Sequence, residues 1–391
     1  MSTHTISKLY PRLSALCVFR EILSAPMLRA LADFLKTTER VDAYSRFVAE
    51  IYRGGGNLTA CVRKLVFEDE NVYVTAVAAG QAVDPHIQAS VERELDTLSA
   101  LAGLTPDDFS ELLGDVPVAG FSSETVDLAA EYATRVANIQ RYGYGIFASN
   151  GMFRLSDTGE RRIEPIVSAD AVSVDSFTGY ETERARVVAN TQAFVDGKPA
   201  ANVLLYGDAG TGKSSTVKAV ANHFFCEGVR LIEIRKDQMA QLPFVMEKIS
   251  GNPLKFIIFI DDLSFNRNDD TFSMLKAALE GSASAKANNA VIYATSNRRH
   301  IVRECFEDRE GSDVHRNDTM QELLSLSARF GLSIQFGKPD KKLYLEIVRE
   351  LAQKKGITTD IQKLEIDAEA FALRRGHRSA RCAEQFIDSL M

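Results

Sequence analysis

From about residue 176 the chain alternates between two kinds of segment, and that alternation leaves few folds open. "ANVLLYG" reads as a strand and "KSSTVKAVANHFF" as a helix. "VRLIEI" with "QLPFVMEKI" repeats the pair, as does "KFIIFI" with "TFSMLKAALEG". "AVIYATSN" and "LSIQF" supply a fourth and a fifth strand. The expectation is an α/β fold, a parallel sheet sandwiched by helices. After Pro339 the strands stop. "KKLYLEIVRELAQKKG", "DAEAFALRRG" and "SARCAEQFIDSL" read as three closing helices.

Upstream the pattern differs. "LRALADFLKTTERVDAYSRFVAEIY" carries apolar residues at helical spacing, and "GGG" at 54–56 interrupts it. "YGYGIFASNGMFRL" brings glycines, aromatics and the pair Asn150-Gly151, a hairpin signal. The chain therefore divides into a helical N-terminal domain (1–115), a small connecting unit with a hairpin (116–175), an α/β core (176–337) and a helical lid (338–391). A length of 391 residues leaves room for that many parts. The formal charge of −7 gives no global pull toward nucleic acid. The five cysteines (Cys17, Cys61, Cys226, Cys305, Cys382) are scattered and form no CxxC pair. That suits a reducing cytoplasm and argues against a disulfide framework or a zinc site. No apolar run approaches ~18 residues, so no membrane span is expected. "LSALCVF", flanked by Arg12 and Arg20, reads as helix core rather than a signal peptide.

"GDAGTGKS" fits GxxxxGK[ST] and has the required context, a strand before and a helix after. Gly207, Asp208, Ala209, Gly210, Thr211, Gly212, Lys213, Ser214 and Ser215 form the candidate nucleotide-binding set. The glycines let the loop wrap with its N–H groups inward, and the helix N-terminus favours anions. Lys213 would reach the β- and γ-phosphates, and Ser214 would ligate Mg²⁺. The alternative is a glycine-rich turn with a chance lysine, which the strand–loop–helix context opposes.

"FIIFIDDLSF" is an apolar run that ends abruptly in two carboxylates. Ligands of open α/β sheets bind at the carboxyl ends of the strands. Asp261 there would hold a water on the same Mg²⁺. The metal offsets the repulsion between neighbouring carboxylates. Asp262 is then either the group that orients or deprotonates an attacking water, or the N-cap of a short turn.

Taken in order, these segments resemble an AAA+ ATPase over about 176–391. "SFTGYETERARVVANTQAF" is similar to the segment beside the base, "GDAGTGKS" to Walker A and "FIIFIDD" to Walker B. "YATSN" resembles sensor 1, which implies that Asn297 stands between the carboxylates and the γ-phosphate. "SARFGLSIQFGKP" resembles the segment bearing the arginine finger, which implies Arg329. "GHRSARCAEQF" resembles sensor 2, which implies Arg381, or Arg378 in second place. "IDDLSF", "LKAALEG" and "TSNRRHI" further resemble a bacterial AAA+ family known only as a domain of unknown function.

Two features depart from the wider pattern. Aspartate occupies the second Walker B position, where glutamate is usual, and is shorter by roughly 1.5 Å. The region "RKDQMAQLPFVMEKISGNP" lacks the aromatic–apolar–glycine loop of protein-threading members. Arg298, Arg299 and His300 would contact a neighbouring subunit or nucleic acid, or form a solvated basic turn.

The resemblance implies ATP and Mg²⁺ as ligands and a ring or helical homo-oligomer. It implies an ATPase that remodels or loads a protein partner recognised by the N-terminal domain. The alternatives are a nucleotide-gated adaptor with little turnover, and a DNA-dependent ATPase similar to helicase-loader helpers. Nucleic acid is the less favoured partner, and no membrane is expected.

Overall fold

The computed structural model describes residues 2–37, 39–114, 116–158, 161–166, 172–263, 275, 279, 288–297 and 329–391. They form two compact units, Met1–Ser149 and Asn150–Met391. Among the described residues no helix is long and apolar enough to cross a membrane.

The first unit is helical: α1 (Ser2–Ser14), α2 (Pro26–Lys36), α3 (Arg40–Arg53), α4 (Leu58–Phe67), α5 (Val72–Ala78), α6 (Pro85–Ala102), α7 (Asp107–Leu113), α8 (Leu128–Ala137) and α9 (Ile139–Tyr142). Met27, Leu28, Leu31 and Phe34 recur on one face of α2, and Tyr44, Phe47, Val48 and Ile51 on one face of α3. Phe109 of α7 packs its ring within 5.2–5.7 Å of Phe34, Tyr44 and Phe47. The glycine run ends α3, with Gly55 and Gly56 at φ 96° and 83°, where a Cβ is disfavoured. Asn57, Asn71, Asp84 and Asp127 cap the helices that follow them by accepting backbone N–H bonds.

The expected boundary near residue 115 is corrected. Leu128 and Tyr132 of α8 lie in the same core as α1–α7. Leu128 N–H donates to Ser99 Oγ at 3.0 Å, and Arg63 pairs with Glu131 at 2.8 Å. Residues 116–149 therefore complete the helical unit and are not part of a separate connector.

The second unit starts at Asn150, not near 176. Its first strands are β1 (Met152–Leu155) and β2 (Ile163–Pro165). Then come α10 (Glu181–Val195), β3 (Val203–Gly207), α11 (Lys213–His223), β4 (Val229–Glu233), α12 (Leu242–Ser250), β5 (Lys255–Ile260), β6 (Ala290–Ser296) and β7 (Leu332–Phe336). One seven-stranded sheet results, in the order β2-β1-β4-β5-β6-β3-β7. Among the described strands only the β1–β2 pair is antiparallel. The hairpin exists, but Asn150-Gly151 precedes it and is not its turn. Gly151 O accepts from Leu231 N–H at 2.9 Å, and a Cβ on Gly151 would come to 3.0 Å from the Phe225 ring. Close packing, not turn geometry, favours glycine there.

β5 lies between β4 and β6, and its residues Phe256 to Ile260 are all buried, so the run is apolar on both faces. Burying each such side chain contributes about 1.5–3 kcal/mol. Val187 and Phe194 of α10 and Val217 and Val220 of α11 pack with Leu205, Leu231, Ile257 and Tyr293 of the sheet. The three lid helices, Lys341–Lys354, Ile361–Arg375 and Ala380–Asp388, close on a core of their own around Tyr344, Val348, Ala368, Ala383 and Phe386. Most of "TFSMLKAALEG", together with Arg298, Arg299, His300 and the charged segment 303–318, lies outside the described residues.

Candidate functional site

The loop after β3 begins where only glycine fits. Gly207 has φ 138°, and a Cβ there would fall 2.0 Å from the Phe336 carbonyl oxygen on neighbouring β7. Thr211 Oγ1 donates to Asp208 O at 2.9 Å, which closes the loop on itself. Gly210 and Gly212 take φ 74° and 86°, conformations that turn successive N–H groups to one side. α11 starts at Lys213, so its N-terminus faces the same space. The Lys213 ammonium donates to Gly207 O (3.0 Å), Asp208 O (2.7 Å) and Asn297 Oδ1 (3.1 Å). Burial holds its pKa below the ordinary lysine value, against the opposing pull of Asp208, Asp261 and Asp262.

The sheet order places β6 between the loop strand β3 and the carboxylate strand β5. Residues from all three tips therefore converge. Asp261 Oδ1 accepts from Ser214 Oγ (2.6 Å), from Thr295 Oγ1, and from the Asp262 N–H (3.1 Å). Asp262 N–H also donates to Thr295 Oγ1 at 2.9 Å, and its backbone sits at φ 50°. Asn297 Nδ2 donates to Asp262 Oδ1 at 2.8 Å. One amide thus bridges Lys213 to Asp262.

The lid contributes from above the loop. Arg381 N–H donates to Gly210 O at 3.2 Å, and a Cβ on Gly210 would come to 3.2 Å from both Arg381 Cβ and Ser379 Oγ. Ala209 to Ser215, Asp261, Asp262, Thr295, Asn297 and Arg381 line one cavity of about 250 Å³. Arg378 is turned elsewhere: its guanidinium makes a two-pronged ion pair with Glu369 at 2.8 and 2.9 Å. Of the two lid arginines, Arg381 is the one at the site.

Arg329 is not among the residues lining the cavity. It precedes β7, whose Leu332 pairs with Val203 and whose Phe336 pairs with Gly207. The loop leaves the opposite end of those parallel strands. The five paired residues alone span roughly 13 Å along the strands, and Arg329 lies three residues further back from Leu332.

The donor set fits a magnesium nucleotide. Among the described residues no cluster of three or more His, Cys, Asp or Glu could hold a metal by itself. One hydroxyl and one or two carboxylates suit Mg²⁺, which keeps several waters and completes its shell with phosphate oxygens. Positive-φ glycines, a helix N-terminus and a lysine suit the phosphates.

Sequence reasoning missed Thr295. The resemblance of "YATSN" to sensor 1 singles out the asparagine alone. Strand alternation carries the missing signal, because residues two apart share a face. A hydroxyl at 295 therefore points the same way as the amide at 297.

Over 250 residues the chain is 25% identical to the "ATP-dependent zinc metalloprotease FtsH 2" of Thermoanaerobacter sp. (strain X514). That match covers 60% of this chain and 45% of the relative, so the chain spans less than half of that protein's length. A structural likeness to the Thermotoga maritima RuvB Holliday junction branch migration motor covers 56% of this chain and 72% of the other, at 14% identity. Its TM-score of 0.35 is too low to carry a functional comparison. The model of the family described as "Protein of unknown function (DUF815)" matches residues 148–391. The match begins two residues before the second unit does and runs to its end. The chain belongs to that family.

Proposed function

We propose that this protein is a Mg²⁺-dependent ATPase that acts as a homo-oligomer and remodels or loads a partner. The observation that carries this reading is the convergence of loop, hydroxyl, two carboxylates, lysine and lid arginine on one cavity. The relative named ATP-dependent supports it. What that relative's name says of zinc and proteolysis is said of the relative alone, since the match covers 45% of it.

In this reading Lys213 and the amides of residues 208–215 bind the β- and γ-phosphates. Ser214 and Asp261 would hold the metal, which would supply neutralisation of charge on the phosphate oxygens. Asp262 orients or deprotonates the attacking water, and Asn297 fixes the Asp262 carboxylate. Arg381 contacts the phosphates from the lid. Arg329 is too far from its own site and serves a neighbour's, which requires a head-to-tail ring or helix. The helical unit Met1–Ser149 recognises the partner, and the protein works in the cytoplasm.

Steady-state hydrolysis with equilibrium ATP binding tests this. Lys213→Ala loses ATP affinity by roughly a hundredfold, since a charged contact to two phosphates goes. Asp262→Asn keeps Mg·ATP but loses turnover by about 10²–10⁴. Turnover that persists in both variants, or in EDTA, overturns the assignment. A second reading, a nucleotide-gated adaptor, draws on the short Asp262 carboxylate already held by Asn297. Tight ATP binding with no wild-type turnover, with or without single-stranded and duplex DNA, decides for it.

A further inference from the structure

Two adjacent residues of an extended strand point to opposite faces. Asp261 and Asp262 follow β5 directly, yet both line the same cavity. The backbone resolves the conflict. Asp262 adopts φ 50°, the left-handed region in which aspartate is several-fold enriched among non-glycine residues. That turn brings the second carboxylate back to the side of the first.

Thr295 is what grips this turn. A threonine hydroxyl has one proton and two lone pairs. Here the proton goes to Asp261 Oδ1, and a lone pair accepts the Asp262 N–H at 2.9 Å. The Thr295 carbonyl accepts the Leu263 N–H at 2.7 Å, and Leu263 is fully buried. Three consecutive residues are thus tied to one residue of β6. Asn297, two positions on, then meets the Asp262 carboxylate.

We infer that Thr295 is a positioning residue: its hydroxyl sets Asp261 for the metal and holds Asp262 in the left-handed turn that aims its short carboxylate at the attacking water. The inference rests on the ATPase reading for its consequence, but not for its geometry. It also gives the pair its division of labour, since backbone direction separates the two roles where side-chain length does not.

Thr295→Val tests it, because valine keeps the β-branched shape that β6 accepts and removes only the hydroxyl. Thr295→Ser restores the hydroxyl. Three quantities are read on the full chain: exchange of the Asp262 amide hydrogen, Kd for Mg·ATP and kcat. In Thr295→Val the amide exchanges at least roughly tenfold faster, and kcat falls about tenfold to a hundredfold, the worth of a hydrogen bond to a charged group. Kd for Mg·ATP rises by less than kcat falls, because the loop and Lys213 are untouched while Asp261 loses one of its donors. Thr295→Ser returns exchange and kcat to within about threefold of wild type. Unchanged exchange in the valine variant overturns the inference, and so does a serine variant as impaired as valine. If the wild type hydrolyses no ATP, the ATPase reading fails by itself, and amide exchange alone decides whether Thr295 holds the turn.

Discussion

In the helical unit Glu94 is 2% exposed, and its carboxylate accepts the backbone N–H groups of Cys17, Val18 and Phe19. In the second unit Lys213 is 6% exposed, and its ammonium donates to two loop carbonyls and the Asn297 amide. Both are buried ionisable groups with three partners. The partners differ in kind. Those of Glu94 are fixed N–H groups of one turn, and they serve that turn alone. Lys213 itself and its partner Asn297 line a cavity, with the Gly207 and Asp208 carbonyls behind them. A buried charge satisfied by the chain's own backbone is a structural element. A buried charge satisfied at a cavity wall is one that a ligand can recruit.

The strongest test of this contrast uses a cation that the proposal assigns to another copy of the chain. Arg329→Ala binds ATP normally and loses hydrolysis by about 10³. Mixing it with Lys213→Ala restores part of the activity, because that variant still donates an arginine. Activity per subunit that does not change with protein concentration, and no rescue on mixing, break the assignment. Next in size is Glu94→Ala, which leaves buried N–H groups unpaired and costs about 3 kcal/mol. Thermal unfolding of the helical unit shifts down by roughly 6–12 °C. ATP affinity is unchanged, and a coincident loss of it blurs the distinction between the two groups.

The smallest effect is a pH dependence. Burial lowers the Lys213 pKa, and bound phosphate oxygens favour its charged form. The free site therefore loses its proton at a lower pH than the bound one. ATP affinity falls as pH rises through the depressed pKa, and binding in that window takes up a fraction of a proton. Calorimetry in two buffers of different ionisation enthalpy reads that uptake. Affinity that holds steady up to the ordinary lysine range removes the argument from burial.

Much of the second unit was legible in the sequence because its signals are local. "FIIFI" is buried on both faces as its lack of charge leads one to expect, and "GDAGTGKS" states its turn in its glycines. The three lid helices follow from their periodicity. What could not be read depended on partners far along the chain. β1 and β2 are four and three residues long, too short for a pattern, and β1 belongs to the sheet only through its pairing with β4. Residues 116–149 looked like a connector because what places them, Ser99 and Arg63, lies on α6 and α4. Arg381 stood ahead of Arg378 in the sequence, but only the pairing of Arg378 with Glu369 separates them in space. Thr295 looked like an ordinary strand residue because its partners, Asp261 and Asp262, sit on another strand.

The order of the sheet bears on how the chain reaches its native state. Val203 pairs with Tyr293 on one side and with Leu332 on the other, so the strand that carries the phosphate loop has no neighbour close to it in sequence. Closing such long loops is slow, and the pairings that need them form late. The loop and the carboxylates meet only after β6 has slotted between β3 and β5. A partly folded chain therefore cannot assemble the cavity. Whatever binds there stabilises the finished fold and nothing before it, by an amount that grows with ligand concentration.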